Sequence, residues 1–246
     1  MQNNIIQILI NRGNDLLKQP FSKIEFTRIS EADDTLNNLD YFPHAYVLAC
    51  IMDRQISADR AWIVPYKISL EIGCFELSKL LELSEESYIE IFNRKNLHRF
   101  NNNMAKNFYS AIQKIHSDYS DDAANIWKEC PRSATIVKRF LGFEGVGVKI
   151  ATMAANILAR EFKIPMRDYI SIDISPDRHV MRVFKRVGFL SKDAKFDEFI
   201  YTAREFNPEY PGIFDTSCWE IGYKWCRPRK PKCAECYLNV YCPKII

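Results

Sequence analysis

The sequence predicts an all-α protein, on three observations. Only 8 of the 246 residues are glycine, and most of the chain runs in stretches without turn signals. Apolar residues recur at helical spacing along those stretches. Strand-like alternation is weak everywhere except 169–174. Hydrophobic residues make up 47% of the chain, enough to bury a core without cross-links.

The elements follow in order. Residues 4–19 read as an amphipathic helix stopped by Pro20. Residues 43–55 open on Pro43, suited to a first helical turn, and continue almost wholly apolar, which predicts a buried helix. Tyr41 and Phe42 just before it read as core residues. Helical patterns follow at 58–70, 75–82, 85–94, 102–117, 121–129 and 133–141, with Ser84 placed to cap the third of these. A glycine-rich break, Gly142-Phe-Glu-Gly-Val-Gly147, precedes a helix over 148–162. Residues 163–176 hold Pro165 and Pro176 and read as irregular, and helices resume at 177–188, 192–205 and 213–225. No internal repeat or low-complexity tract stands out.

The net charge is only +3, so any nucleic-acid surface must come from local concentration of charge. The first residues lack a basic leader region, and no run approaches the ~18 apolar residues of a membrane helix. A soluble intracellular protein, cytoplasmic or at the nucleoid, and a monomer, is expected. Of the eight cysteines, Cys50, Cys74, Cys130 and Cys218 are scattered and read as thiols of a reducing compartment.

Gly145 and Gly147 permit a tight reversal between two helices, with backbone angles other residues avoid, and leave N–H groups uncovered at a helix start that attracts phosphate. An ordinary helix–helix turn would also use them. In context, Gly145-Val-Gly147-Val-Lys149-Ile-Ala151 resembles the helix–hairpin–helix of the endonuclease III superfamily of DNA glycosylases. The resemblance implies that the hairpin amides grip a DNA phosphate, often with a monovalent cation, and that Lys149 stands where the members that also cut the sugar–phosphate backbone carry their lysine. The Leu-Pro usual before the glycines is here Phe143-Glu144.

Downstream, Asp177-Arg-His179-Val-Met-Arg182-Val183 resembles the same family's Asp-x-His-Val-x-Arg-Val, which makes Asp177 the catalytic carboxylate. A neutral amine can attack C1′ of a deoxyribose while a carboxylate offsets the positive charge developing on the sugar. Asp177 could instead only cap a helix, and Asp173 is a competitor, since Ser175-Pro176 could form the cap and first turn. Lys149 and Asp177 stand farther apart in sequence than in common members, the extra residues falling in 160–172, where an insertion can shape substrate choice.

Near the C-terminus Cys226, Cys233, Cys236 and Cys242 follow the spacing Cys-x6-Cys-x2-Cys-x5-Cys. Four thiolates so close could hold zinc or an iron–sulfur cluster. The spacing, after Trp219-Glu-Ile-Gly-Tyr-Lys-Trp225, resembles the C-terminal [4Fe–4S] loop of endonuclease III and its adenine-glycosylase relatives. Such a loop need not react; it staples a segment with no core of its own. Between the first two cysteines stand Arg227, Arg229, Lys230 and Lys232, with Pro228 and Pro231 stiffening the run, which presents a concentrated basic surface to a phosphate backbone.

Flipping a nucleotide leaves a hole in the stack; the resemblance places Gln55 to fill it, with Arg54 beside it on the DNA. The expectation is two helical domains flanking a DNA-binding cleft: a six-helix barrel over 36–160 containing the helix–hairpin–helix (133–160), and a cluster domain from 1–35 and 161–246. The implied activity is release of a damaged or mismatched base from double-stranded DNA with strand cleavage through a lysine Schiff base. A glycosylase using water, or a damage-binding protein without catalysis, are the alternatives.

Overall fold

The computed structural model describes residues 2–245. Among them all regular structure is helical: α1 (Gln2–Lys18), α2 (Ser30–Asn37), α3 (Pro43–Met52), α4 (Ala58–Trp62), α5 (Val64–Ile72), α6 (Leu77–Leu81), α7 (Glu85–Lys95), α8 (Asn101–Tyr119), α9 (Ser133–Leu141), α10 (Val148–Arg160), α11 (Arg178–Arg186), α12 (Phe196–Phe206) and α13 (Phe214–Lys224), with short 3-10 turns at Ala123–Ile126, Pro211–Ile213 and Cys233–Glu235. The chain divides into two compact units, one of residues 21–131 and 138–154, the other of 1–20, 132–137 and 155–246.

In the first unit α3 is buried along its whole length, as its unbroken apolar run requires. Its polar groups are all matched: the Tyr46 hydroxyl donates to the Ala154 carbonyl at 2.7 Å, and His44 Nε2 lies 2.7 Å from the Phe75 carbonyl. Burial pushes the His44 pKa down. The amphipathic α8 turns Met104, Phe108, Ala111, Ile112 and Ile115 inward, and Phe108 packs on Tyr88 and Phe92 of α7. Each of the methionine, isoleucine and phenylalanine side chains contributes roughly 1.5–3 kcal/mol by leaving water. Ser84 caps α7 through its side chain, as the sequence predicts.

Several elements differ from expectation. The helix expected over 58–70 is two, because Pro65 lacks an N–H and its ring clashes with the carbonyl four residues back, so a new helix starts at Val64. The helix from Pro43 ends at Met52, where the Asp53 N–H turns back to the Cys50 carbonyl. Residues 121–129 form only a 3-10 turn at Ala123–Ile126, and 169–174 is not a strand. Tyr41, expected in the core, is 78% exposed. The short α2 carries no apolar stripe to announce it; its tertiary partners hold it, with buried Asp33 accepting from the Thr27 N–H at 2.8 Å.

In the second unit α1 meets the Pro211–Ile213 turn at Gly13, where a Cβ would lie 2.6 Å from the Ile213 carbonyl. Arg12 on α1 forks onto Glu220 of α13 with two bonds of 3.0 Å, and Lys224 reaches the same carboxylate at 2.8 Å. Burial raises the Glu220 pKa, and these two cations more than reverse it. Phe184, Phe189, Phe199, Phe206 and Phe214 form an aromatic core joining α11, α12 and α13. Gly222 lets α13 touch α11 directly: a Cβ there would meet the His179 Cβ at 2.7 Å.

Candidate functional site

The hairpin joins α9 to α10 within 142–147. Phe143 anchors it, being buried and packed on Tyr119 and Phe140 with ring centroids 6.0 and 6.3 Å away. Its carbonyl accepts from the Val146 N–H at 3.2 Å, closing the turn. That apolar anchor is what stands in place of Leu-Pro. Gly145 takes the left-handed conformation, φ +78°, which only glycine adopts without strain. Gly147 does not: its φ is outside the left-handed region, and a Cβ there would meet nothing within 4 Å. Its carbonyl opens α10 by accepting from Ala151 N–H at 3.0 Å. Among the described residues neither glycine's N–H bonds to a backbone carbonyl. The sequence expectation of unusual backbone angles therefore holds for one glycine; at the other, absence of a side chain leaves space unfilled.

Lys149 is the second residue of α10 and is exposed. Two side chains flank the hairpin. A Cβ on Gly145 would lie 2.2 Å from Asn107 Nδ2 and 3.6 Å from Arg54 Nη1. Arg54 was marked in the sequence; Asn107 was not, since one more asparagine on α8 carries no local signal. Gln55, beside Arg54 in the loop after α3, is exposed and left-handed with φ +56°. A non-glycine residue in that conformation is under strain of the kind that gathers at functional sites.

The two candidate aspartates, both in the second unit, have different fates. Asp173 is buried, and Arg204 of α12 grips both its oxygens at 2.7 Å. Asp177 is half-buried and caps α11: Oδ1 accepts from the N–H groups of His179 and Val180 at 2.8 and 2.7 Å. Its Oδ2 takes no hydrogen bond among the described residues. The segment carrying it is held from below by Asp215, whose Oδ1 accepts from the Ser175 N–H at 2.8 Å and whose Oδ2 accepts from Asn156 Nδ2 at 2.9 Å. Asn156 also donates to the Gly212 carbonyl and accepts from the Tyr210 hydroxyl. Asp215 keeps some exposed surface, yet the protein crowds its carboxyl group closely, and burial raises the pKa to about 7. Arg204 and Asp215 had no signal in the sequence, as each acts on a residue far along the chain.

The cysteine loop is tied to α11. Arg182 donates to the carbonyls of Cys226 and Gly222 at 2.5 and 2.7 Å and to His179 Nδ1 at 3.0 Å. Arg186, unmarked in the sequence, donates to the Arg227 and Pro228 carbonyls at 2.7 and 3.1 Å and to Cys226 Sγ at 3.5 Å. All eight cysteines are free thiols. Burial, then the nearby Cys226 and Cys233 sulfurs, raise the pKa values of Cys236 and Cys242. Among the described residues no group of three or more His, Cys, Asp or Glu side chains is arranged to hold a metal ion. The four sulfurs share one loop in half-buried positions. Four cysteine thiolates are a donor set that iron–sulfur clusters and zinc both take. Arg227, Arg229, Lys230 and Lys232 are exposed on the same loop.

No helix among the described residues is long and apolar enough to cross a membrane. No protein-family profile matches the chain. A curated Endonuclease III of Sulfolobus acidocaldarius is 28% identical over 135 residues, 53% of this chain and 53% of the relative, so the match spans about half of each. Solved structures agree over nearly the whole chain. A non-covalent Endonuclease III–DNA complex matches with TM-score 0.64 and 18% identity over 99% of this chain and 96% of the other. A trapped Endonuclease III–DNA covalent intermediate gives 0.62 and 17% over 98% and 96%. A thermostable thymine-DNA glycosylase gives 0.61 and 15% over 99% and 95%. The chain shares its fold with these Endonuclease III and thymine-DNA glycosylase structures.

Proposed function

We propose that this chain, which has the fold of the endonuclease III-type superfamily, is a base-excision repair glycosylase that removes a damaged or mismatched base from double-stranded DNA. The observation that carries the reading is the hairpin: a left-handed Gly145, a bare Gly147 and an exposed Lys149 on the first turn of α10. Backbone donors at such a helix start suit a DNA phosphate, and the lysine stands one residue further on. Arg54 beside Gly145, and the basic run Arg227, Arg229, Lys230 and Lys232, supply further phosphate contacts. Gln55, exposed and strained, fills the place of the extruded nucleotide.

The chemistry assigns Lys149 as nucleophile and Asp177 as its carboxylate partner. The neutral Nζ attacks C1′ of the extruded nucleotide. The bond from C1′ to the base breaks, and the base leaves with the electron pair and takes up a proton. Asp177 Oδ2 offsets the positive charge on the sugar and takes a proton from the newly bound nitrogen; the C1′–O4′ bond then breaks, O4′ takes up that proton, and the nitrogen lone pair forms the lysine Schiff base. Loss of a C2′ proton then expels the 3′ phosphate and nicks the strand. Two facts support Asp177 over Asp173: its cap uses one oxygen and leaves the other open, whereas Arg204 occupies both oxygens of Asp173. That the chain shares its fold with a trapped Endonuclease III–DNA covalent intermediate supports a covalent route. Cys226, Cys233, Cys236 and Cys242 would hold a [4Fe–4S] cluster that staples the basic loop and supplies no reacting group.

The test is incubation with duplexes each bearing one oxidised, deaminated, alkylated or mismatched base, scoring base loss with and without alkali. Borohydride should trap the chain on its substrate, and Lys149→Gln should abolish trapping. Base release without adduct would assign water as nucleophile; no release from any duplex would end the glycosylase reading.

A further inference from the structure

A hollow of about 740 Å³ opens at the root of the cysteine loop, lined by His179, Tyr223, Trp225, Arg227, Arg229 and Glu235 among others. Tyr223 brings α13 to its wall, and outside the lining Trp219, one helical turn earlier, stacks on Tyr223 face to face with centroids 5.0 Å apart and planes 5° from parallel. They nevertheless remain 45% and 59% exposed. Two large rings left in water side by side, one covering only an inner face of the other, present an open π-face where a third ring can continue the stack.

The surroundings say which ring. Arg227 and Arg229 border the hollow and make no ion pair among the described residues. One acid, Glu235, stands there, and Lys232 pairs with it at 3.1 Å. Arg182 donates to His179 Nδ1, so the neutral ring carries its proton on Nε2, a donor for a base carbonyl or phosphate oxygen. The imidazole lies 6.2 Å from both Trp219 and Tyr223. The platform is rigid as well. Gly222 locks α13 against His179, and Arg182 and Arg186 pin the loop carbonyls of Cys226, Arg227 and Pro228. Aromatic faces beside a stiff cationic rim are the elements of a single-strand site.

We propose that this hollow binds unpaired DNA: a nucleobase stacks on the Tyr223–Trp219 pair and its flanking phosphates lie on Arg227 and Arg229. The inference rests on the reading of the chain as a DNA-binding protein and adds to it a site for a frayed or nicked strand, apart from the hairpin.

The experiment measures binding of fluorescein-labelled oligothymidine to the cofactor-loaded full chain over a salt series. Trp62 and Trp127 are buried, so quenching of tryptophan emission on binding reads Trp219 and Trp225. Tyr223→Ala and Trp219→Ala should each weaken binding roughly 5- to 150-fold without changing its salt slope. Tyr223→Phe should restore it. Arg227→Ala with Arg229→Ala should flatten the slope of log K against log salt by about 1.4. Unchanged affinity in both aromatic variants at unchanged melting temperature, or no quenching by the oligomer, overturns the proposal. So does a stable protein partner that the oligomer fails to displace from the rings. Base release by the unaltered chain reads the glycosylase function separately, so failure of either is told apart from failure of the other.

Discussion

The two hairpin glycines make opposite predictions for one methyl group. In Gly145→Ala the new Cβ sits at φ +78°, disfavoured by about 1–2 kcal/mol for an L-residue. Loss of unfolded-chain entropy returns about 0.4–1 kcal/mol. The collision with Asn107 Nδ2 at 2.2 Å involves the free end of a side chain, which can swing away. The net loss is about 1 kcal/mol, a fall in melting temperature of roughly 2–4 °C for a chain of this size. In Gly147→Ala the Cβ enters open space. The weaker helix start costs about 0.5–1 kcal/mol, and the entropy gain, about 0.4–1 kcal/mol, offsets it. Stability should stay within about 0.5 kcal/mol. DNA binding should show the reverse order of sensitivity. If the hairpin grips DNA as proposed, a methyl at Gly147 stands in the path of the phosphate, and loss of one hydrogen bond to a charged group, about 1.5–3 kcal/mol, weakens binding roughly 10- to 150-fold. Scanning fluorimetry and anisotropy on an abasic-analogue duplex measure both quantities. If Gly147→Ala binds as tightly as the unaltered chain, or loses more stability than Gly145→Ala, the hairpin does not grip a phosphate as argued.

Three further outcomes follow from the second unit. Asp215 titrates near 7 when folded and near 3.8 when unfolded, so between those values the folded state holds the extra proton. Stability from this group is complete below about pH 4, falls as pH rises toward 7, and then levels, by at most about 4 kcal/mol. The ¹³C shift of its carboxyl carbon should move with a midpoint near 7, and a midpoint near 4 refutes the burial argument. Arg204→Met strips buried Asp173 of its guanidinium; because Arg204 is itself partly exposed, the loss should be about 2–3 kcal/mol by denaturant titration. A loss under ~0.5 kcal/mol would show that water already serves that carboxylate. Asp177→Asn retains a side-chain oxygen for the cap, so its melting temperature should stay within about 2 °C while base release falls at least 100-fold; full activity would remove Asp177 from the chemistry.

The features legible in the sequence were those whose cause is local. An unbroken apolar run forced α3 into a core, and Ser84 and Asp177 capped the helices they precede. The Gly-x-Gly hairpin, the lysine after it and the cysteine spacing are likewise short-range patterns, readable because turn geometry and ligand spacing act over a few residues. The fate of the carboxylates was not readable. Asp173 and Asp177 stand four residues apart in similar surroundings, and only the approach of Arg204, from another helix, commits one to an ion pair and leaves the other with an open oxygen. Likewise, Asn107 against Gly145, Asp215 beneath Ser175 and Arg186 on the cysteine loop are meetings of residues 38 to 41 positions apart. Periodicity and propensity carry no record of such distances. A side chain's charge state and open lone pairs depend on what packs against it, and packing is decided only when the chain has folded.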